Sequence, residues 1–267
     1  MTEEQWLASL PAPWRLSEEN LSEVLPQFMA RYPVFEDRLR ALAHWRLGTP
    51  YRIFQVGEET PPDTNPVFRL DVSDCTVHVL TSLSLAQSRS WQEARQNMIA
   101  IHYKPDDQGI RQPAYERRWH FTTDRLMHHP STPDISAELV PPERMAVQHI
   151  TLNRKADGSE HLKLGWQLTA DVRYIPNDLI TPQLLKRLPA ITGVAFVKAE
   201  IFENGIIAAH EGMIVDQQYL LHASQLAGET VKEDFMQYYF PEDGPRYTGI
   251  MLYRFLPLDT STPTDSK

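Results

Sequence analysis

The sequence predicts an α+β protein in which helices come first and strands later. Three observations carry that expectation. Apolar residues recur at helical spacing through the first hundred positions, β-type runs dominate from Val194 onward, and no glycine- and serine-rich linker or internal repeat divides the 267 residues. At 42% hydrophobic residues the chain can bury a substantial core, as one large domain or as one domain with sizeable insertions.

Residues 16–45 read as helical, with Leu21, Val24, Leu25, Phe28 and Met29, then Phe35, Leu39, Leu42 and Ala43, on one face. Gly48-Thr49-Pro50-Tyr51 reads as a turn and Pro61 to Pro66 as a loop. Val67 to Val72 reads as an extended, half-buried strand. It leads into a helix capped by Ser73-Asp74, with apolar residues at 79, 80, 83 and 86. A second helix is expected over 91–100, followed by a short strand at 101–103. Residues 104–145, rich in Pro, His and charge, read as a long, partly structured excursion.

Residues 147–175 alternate like a hairpin around Ala156-Asp157-Gly158, and 182–189 is a short helix. Strands are expected over 194–202, 206–215, 219–224 and 249–255. The tail from 259, rich in Thr, Ser, Pro and Asp, is expected to be disordered. The resulting division is a helical extension over 1–34, a single domain over 35–256 with an insertion-rich stretch at 104–190, and a tail over 257–267.

A formal net charge of −9 argues against nucleic-acid and anionic-membrane partners, both of which demand a basic face. No apolar run reaches transmembrane length. Met1 to Trp6 lacks the basic and apolar regions of a secretory signal. The expectation is a product that is cytoplasmic as synthesised and reaches the cell envelope only by a dedicated route.

Cys75 is the only cysteine, so it forms no internal disulfide and serves either packing or reactivity. Its place in the first turn of a helix favours the thiolate, because the helix dipole and the unpaired N–H groups there stabilise negative charge. Among the ten histidines, His210 and His222 lie on two β-type runs joined by Asp216-Gln217-Gln218. If these three residues form the turn, Val215 faces Tyr219, Gly212 faces His222, and both imidazoles share one sheet face as diagonal neighbours. A two-residue turn without a bulge would place them on opposite faces, and the alternative is two unrelated strand histidines. Together the thiol and the hairpin meet the needs of nucleophilic acyl transfer: a thiolate, a base, a group that orients the base, and a backbone N–H at the helix start for the oxyanion.

Asp74-Cys75-Thr76, with His210-x-Gly212 and His222-Ala223-Ser224 far downstream, resembles the NlpC/p60-type papain-fold peptidoglycan hydrolases. The resemblance extends to their N-acetylmuramoyl-L-alanine amidase-like branch through Leu47 to Tyr51, Ile101-His102-Tyr103, Arg118 to Phe121, Tyr174-Ile175-Pro176 and Gly249 to Arg254, covering roughly residues 35–256. It implies a papain-like fold, with N-terminal helices packed on a central antiparallel sheet or barrel carrying insertions. It implies Cys75 as nucleophile, His210 as base and His222 as orienting residue. Tyr51, Asp74, Arg118 and His120 would bind substrate, with no cofactor or metal required. The implied partner is a muropeptide, cut at the bond between muramic acid and L-alanine. The chain departs from the pattern at Val194, Arg125 and His78.

Rival readings are weaker. His120, His128 and His129 lack the spacing of a zinc motif, and no Gly-x-Ser-x-Gly supports a serine triad. A non-catalytic papain-fold binder has no chemical need for all three triad residue types, and an acyl transferase would use the same triad with an acceptor other than water.

Overall fold

In the computed structural model, which describes residues 1–259, the chain separates into two compact units. The first comprises residues 1–119 with 223–230 and 256–259; the second comprises 120–222 and 231–255.

Five helices build the first unit: α1 (Glu3–Ser9), α2 (Glu18–Arg31), α3 (Phe35–Trp45), α4 (Cys75–Leu85) and α5 (Trp91–His102). The helical reading of 16–45 is interrupted where Pro33 follows Tyr32, because a residue before proline is pushed out of the α region. The two pieces still bury the expected face, Leu21, Val24, Leu25 and Phe28 on α2 and Leu39, Leu42 and Ala43 on α3. Aromatic edges knit α1 to α3, with Trp6 4.8 Å from Phe28 and Phe28 5.3 Å from Trp45. Helix α4 is buried from Val77 to Leu85, and its C-terminal carbonyl at Ala86 accepts from the buried Arg38 guanidinium at 2.6 Å.

Two sequence expectations fail in this unit. Residues 67–72 form no strand: Val67, Phe68, Leu70 and Val72 are buried as expected, but the backbone finds no ladder. Only Ser73 pairs, in an isolated parallel bridge with Tyr51. Residues 101 and 102 extend α5 instead of starting a strand, since no helix breaker intervenes before Pro105, and Tyr103 makes an isolated bridge to Arg118. Residues 223–230 join this unit through backbone bonds from Gly48 to Thr230 (2.9 Å) and from Tyr51 to Gly228 (2.8 Å).

The second unit is organised on a seven-stranded sheet of β1 (Ala146–Leu152), β2 (Leu168–Pro176), β3 (Ile191–Val197), β4 (Ala208–Val215), β5 (Tyr219–Ser224), β6 (Glu229–Asp234) and β7 (Gly249–Tyr253). The order is β1-β2-β7-β3-β4-β5-β6, and the ladders from β1 through β5 are antiparallel. The molecule is therefore α+β, as its sequence implies. The expected hairpin at 147–175 is β1–β2, in register from Ala146 opposite Tyr174 to Leu152 opposite Leu168.

Strand β3 begins at Ile191 and ends at a bulge between Phe196 and Val197, so residues 199–204 form a 3-10 turn where a strand was expected to continue to 202. That turn closes at Gly205, whose φ of 71° and approach to the Arg154 backbone leave no room for a side chain. Short helices α6 (Thr122–His128), α7 (Ser136–Leu139), α8 (Pro182–Leu185) and α9 (Phe235–Tyr239) complete the unit.

One face of the sheet carries Val194, Phe196, Ile214, Leu220, Ile250 and Leu252, packed with Leu184 and Leu185 of α8 and Phe235 and Tyr239 of α9. The opposite face holds a buried polar cluster. Arg125 of α6 donates to Glu211 Oε2 at 2.6 Å, Tyr253 Oη donates to the same oxygen at 2.8 Å, and Thr122 Oγ1 donates to Oε1 at 3.2 Å. Gly193 is required beside it, because a Cβ there would lie 2.1 Å from the Tyr253 ring. No helix among the described residues is long and apolar enough to cross a membrane.

Candidate active site

In the first unit, Cys75 occupies the first position of α4, half-buried. The cap is Asp74, as the sequence implies: its Oδ1 accepts from the Val77 N–H at 2.8 Å. Its other oxygen accepts from the Phe54 N–H at 2.9 Å, fixing the loop that carries Tyr51. Phe54 adopts φ 55°, a conformation unfavourable for a bulky residue, and its side chain is 75% exposed. The loop is held from the other side by Ser73 N–H to Pro50 O at 2.9 Å and Arg52 N–H to Ser73 O at 3.0 Å. Tyr51 consequently lies beside the thiol. Its hydroxyl pKa is raised, first by burial and then by the charges of Cys75 and Asp74.

Beneath this turn sits Arg46, fully buried, donating to His78 O at 3.1 Å and to Ser73 Oγ at 3.1 Å. Burial lowers its pKa to about 9.

Arg118, a candidate substrate residue, is engaged within the protein. It forms a two-pronged bond to Glu58 through Nε and Nη2, both at 2.7 Å. It also donates to Asp63 at 2.6 Å and to Val56 O at 3.2 Å. Tyr103 Oη adds a bond to Gly57 O at 2.7 Å. Burial pushes the Glu58 carboxyl upward against the pull of Arg118. Asp63 is pushed up by burial too, but its bonds from Arg118 and Asn65 outweigh this and leave it lowered. An arginine so committed chiefly braces the 56–63 loop. His120, half-buried, is the first residue of the second unit.

The second unit brings the two expected histidines together. Asp216 and Gln217 take φ values of 52° and 58°, and Gln218 N–H donates to Val215 O at 3.1 Å, so the chain reverses over two left-handed residues. Gln218 is one residue more than that reversal needs. It brings Val215 opposite Tyr219, the register that keeps residues of equal parity on one face. His210 Nε2 lies 2.8 Å from His222 Nδ1. Gly212 leaves the required space, since a Cβ there would stand 3.1 Å from His222 Cβ and 2.9 Å from Leu221 O.

Sequence reasoning missed the next member. Glu233, on β6, places Oε2 2.7 Å from His222 Nε2. The run Glu229 to Asp234 is too polar to signal a strand, and only its Thr230 is buried. The aromatic surround was also not read. Phe196 stacks on His210 with centroids 5.5 Å apart, the Tyr238 ring meets His222 at 4.8 Å, and Tyr238 Oη bonds Tyr247 Oη at 2.7 Å.

Burial in this apolar box, with the neighbouring His222 second, lowers the His210 pKa to about 3. Burial lowers His222 as well, with Glu233 pulling the other way. Both rings are neutral at pH 7, the state in which an imidazole accepts a proton. Among the described residues no group of three His, Cys, Asp or Glu is arranged to hold a metal ion. His128 is taken up locally instead, its Nδ1 2.8 Å from Asp124 Oδ1.

Comparison with known proteins gives these features a lineage. The chain resembles a Legionella pneumophila structure assigned to the DUF1460 family model, at 20% identity and a TM-score of 0.70, covering 90% of this chain and 95% of that one. A Bacteroides uniformis structure described as an N-acetylmuramoyl-L-alanine amidase aligns at 18% identity and a TM-score of 0.62, over 83% of this chain and 98% of that one. A Bacteroides fragilis structure described as a putative xylanase aligns at 20% identity and a TM-score of 0.61, over 80% of this chain and 99% of that one. At such identities these likenesses speak to the fold. No curated protein compared with the sequence matches it. The family model for AmiA-like, N-acetylmuramoyl-L-alanine amidase-like proteins matches residues 41–244, a span that holds Cys75, His210, His222 and Glu233, and the chain belongs to that family.

Proposed function

We propose that the protein is a papain-like cysteine hydrolase of the NlpC/p60 type that cleaves an amide in peptidoglycan fragments, the bond between muramic acid and L-alanine in muropeptides. Family membership supports the substrate class. The observation that carries the chemistry is the neutral imidazole pair, His210 bonded to His222 at 2.8 Å, in a chain whose only cysteine begins an eleven-residue helix.

In this reading the Cys75 thiolate attacks the lactyl carbonyl carbon, and the oxyanion that forms is stabilised by the Cys75 backbone N–H at the helix start. His210, having taken the thiol proton, returns it to the amine of L-alanine as the C–N bond breaks. The peptide leaves, and the muramoyl group remains as a thioester on Cys75. His210 then takes a proton from the water that attacks the thioester; the C–S bond breaks, the muramoyl group leaves as its carboxylic acid, and His210 returns the proton to the Cys75 sulfur. His222 orients His210 throughout. Tyr51 and Asp74 frame the thiol side of the substrate. Arg118 serves that side by bracing the 56–63 loop, and His120 is a further substrate contact.

Mass spectrometry of products from defined muropeptides tests the proposal. Release of the intact L-alanyl peptide from the sugar is expected. Cleavage within the peptide would instead identify an endopeptidase. Cys75→Ala and His210→Ala are expected to abolish turnover, and His222→Ala to leave a residue of it. Full activity in Cys75→Ala would overturn the mechanism.

A further inference from the structure

Among the described residues, Glu233 is bonded to the imidazole pair and is not used in the reaction sequence above. The hydrogen bonds of this chain of groups fix where each proton must sit. A carboxylate only accepts, so His222 Nε2, 2.7 Å from Glu233 Oε2, must carry a hydrogen. A neutral His222 then has a bare Nδ1, which accepts. His210 Nε2, 2.8 Å from that Nδ1, must therefore be the donor. A neutral His210 has one hydrogen, now assigned to Nε2, so its Nδ1 is left as the lone pair. The direction of the chain is set at the carboxylate end.

We propose that Glu233 is a positioning residue: by accepting from His222 Nε2 it polarises the relay so that His210 offers Nδ1, and not Nε2, as the proton-accepting atom. This rests on the proposed role of His210 as base and adds the atom through which it works. The same logic identifies the state that switches the base off. A doubly protonated His222 donates from Nδ1 to His210 Nε2 and forces the His210 hydrogen onto Nδ1. His222 protonation therefore inactivates His210 without charging it. The groups facing His222 are His210, Glu233 and Tyr238, with the charge of Arg246 acting against its protonation. Glu233 favours the protonated form of His222, so removing it moves the acid limb of the activity profile to lower pH.

The test uses the full-length protein with ¹⁵N-labelled histidine and long-range ¹H–¹⁵N correlation at pH 7, beside kcat and KM across pH. The wild type is expected to show both rings protonated at Nε2. Glu233→Ala is expected to lose that uniform pattern and at least about tenfold in kcat with KM little changed, its acid limb displaced downward. Glu233→Gln keeps an accepting oxygen and is expected to retain the pattern and most of kcat. The Glu233 side chain is 46% exposed, so both variants should fold, which circular dichroism verifies.

An unchanged imidazole pattern in Glu233→Ala would overturn the proposal. So would equal loss of kcat in the Gln and Ala variants. Recording the spectra also in Cys75→Ala separates the two layers. Persisting turnover there defeats the cysteine mechanism while the proton arrangement on the two rings stands or falls by its own signals.

Discussion

Replacing His210 with Gln should flatten the acid dependence of stability. In the folded protein His210 titrates at about 3, against about 6.5 for an unhindered imidazole, because its ring is packed among Phe196, His222 and Tyr238. Between those two values the unfolded chain binds a proton that the native chain refuses. The contribution of neutral His210 is therefore fully present above pH 6.5 and drains away as the pH falls toward 3. Each pH unit in that window costs about 1.4 kcal/mol, so acidification from 6.5 to 5 removes about 2 kcal/mol through this residue alone. His222, also lowered by burial, acts in the same direction. Urea unfolding at pH 7 and pH 5 reads the effect. The wild type should lose about 2 kcal/mol more than His210→Gln over that interval, with similar m-values. Equal losses in the two proteins would refute the claim that the ring is held neutral by its surroundings.

Three further outcomes follow from other parts of the molecule. Arg125→Met leaves the buried Glu211 carboxylate without its cation and should cost about 3–5 kcal/mol, while Arg125→Met with Glu211→Gln should recover much of it; urea midpoints compare the two. Gly193→Ala drives a methyl group into the Tyr253 ring and should cost about 3 kcal/mol, with loss of near-UV dichroism from the displaced tyrosine; a wild-type midpoint would contradict the contact. Asp74→Ala removes both the α4 cap and the acceptor for Phe54, for about 2 kcal/mol and a melting shift of roughly 4–8 °C by calorimetry.

What the sequence revealed and what it hid follow from how local each signal is. The α4 boundary was legible because Asp74 caps through its own side chain, three residues from the N–H it satisfies. The His210–His222 pairing was legible because strand parity and a short connector fix it. Val67 to Val72 misled because burial of alternate apolar residues does not require a neighbouring strand, and among the described residues no strand pairs with that segment. Residues 198–202 misled because the β3 bulge and the left-handed Gly205 redirect the chain just where Ile201 and Phe202 suggest a continuing strand. Glu233 gave no signal at all, since its role depends on which strand lies at the sheet edge. The bonds that hold Arg118 were hidden because no local pattern announces them. Its carboxylate partners lie 55 and 60 positions away.

The reversal at 216–218 carries a consequence for how this molecule can change over time. Losing Gln218, or gaining one residue beside it, would rotate every following side chain of β5 by half a turn, sending one imidazole out of the box while its partner stayed behind. Substitution at these three positions is tolerable wherever the backbone accepts it, but a change of length is not. The connector behaves as a ruler, sensitive first to its count and then to the left-handed backbone of its first two residues.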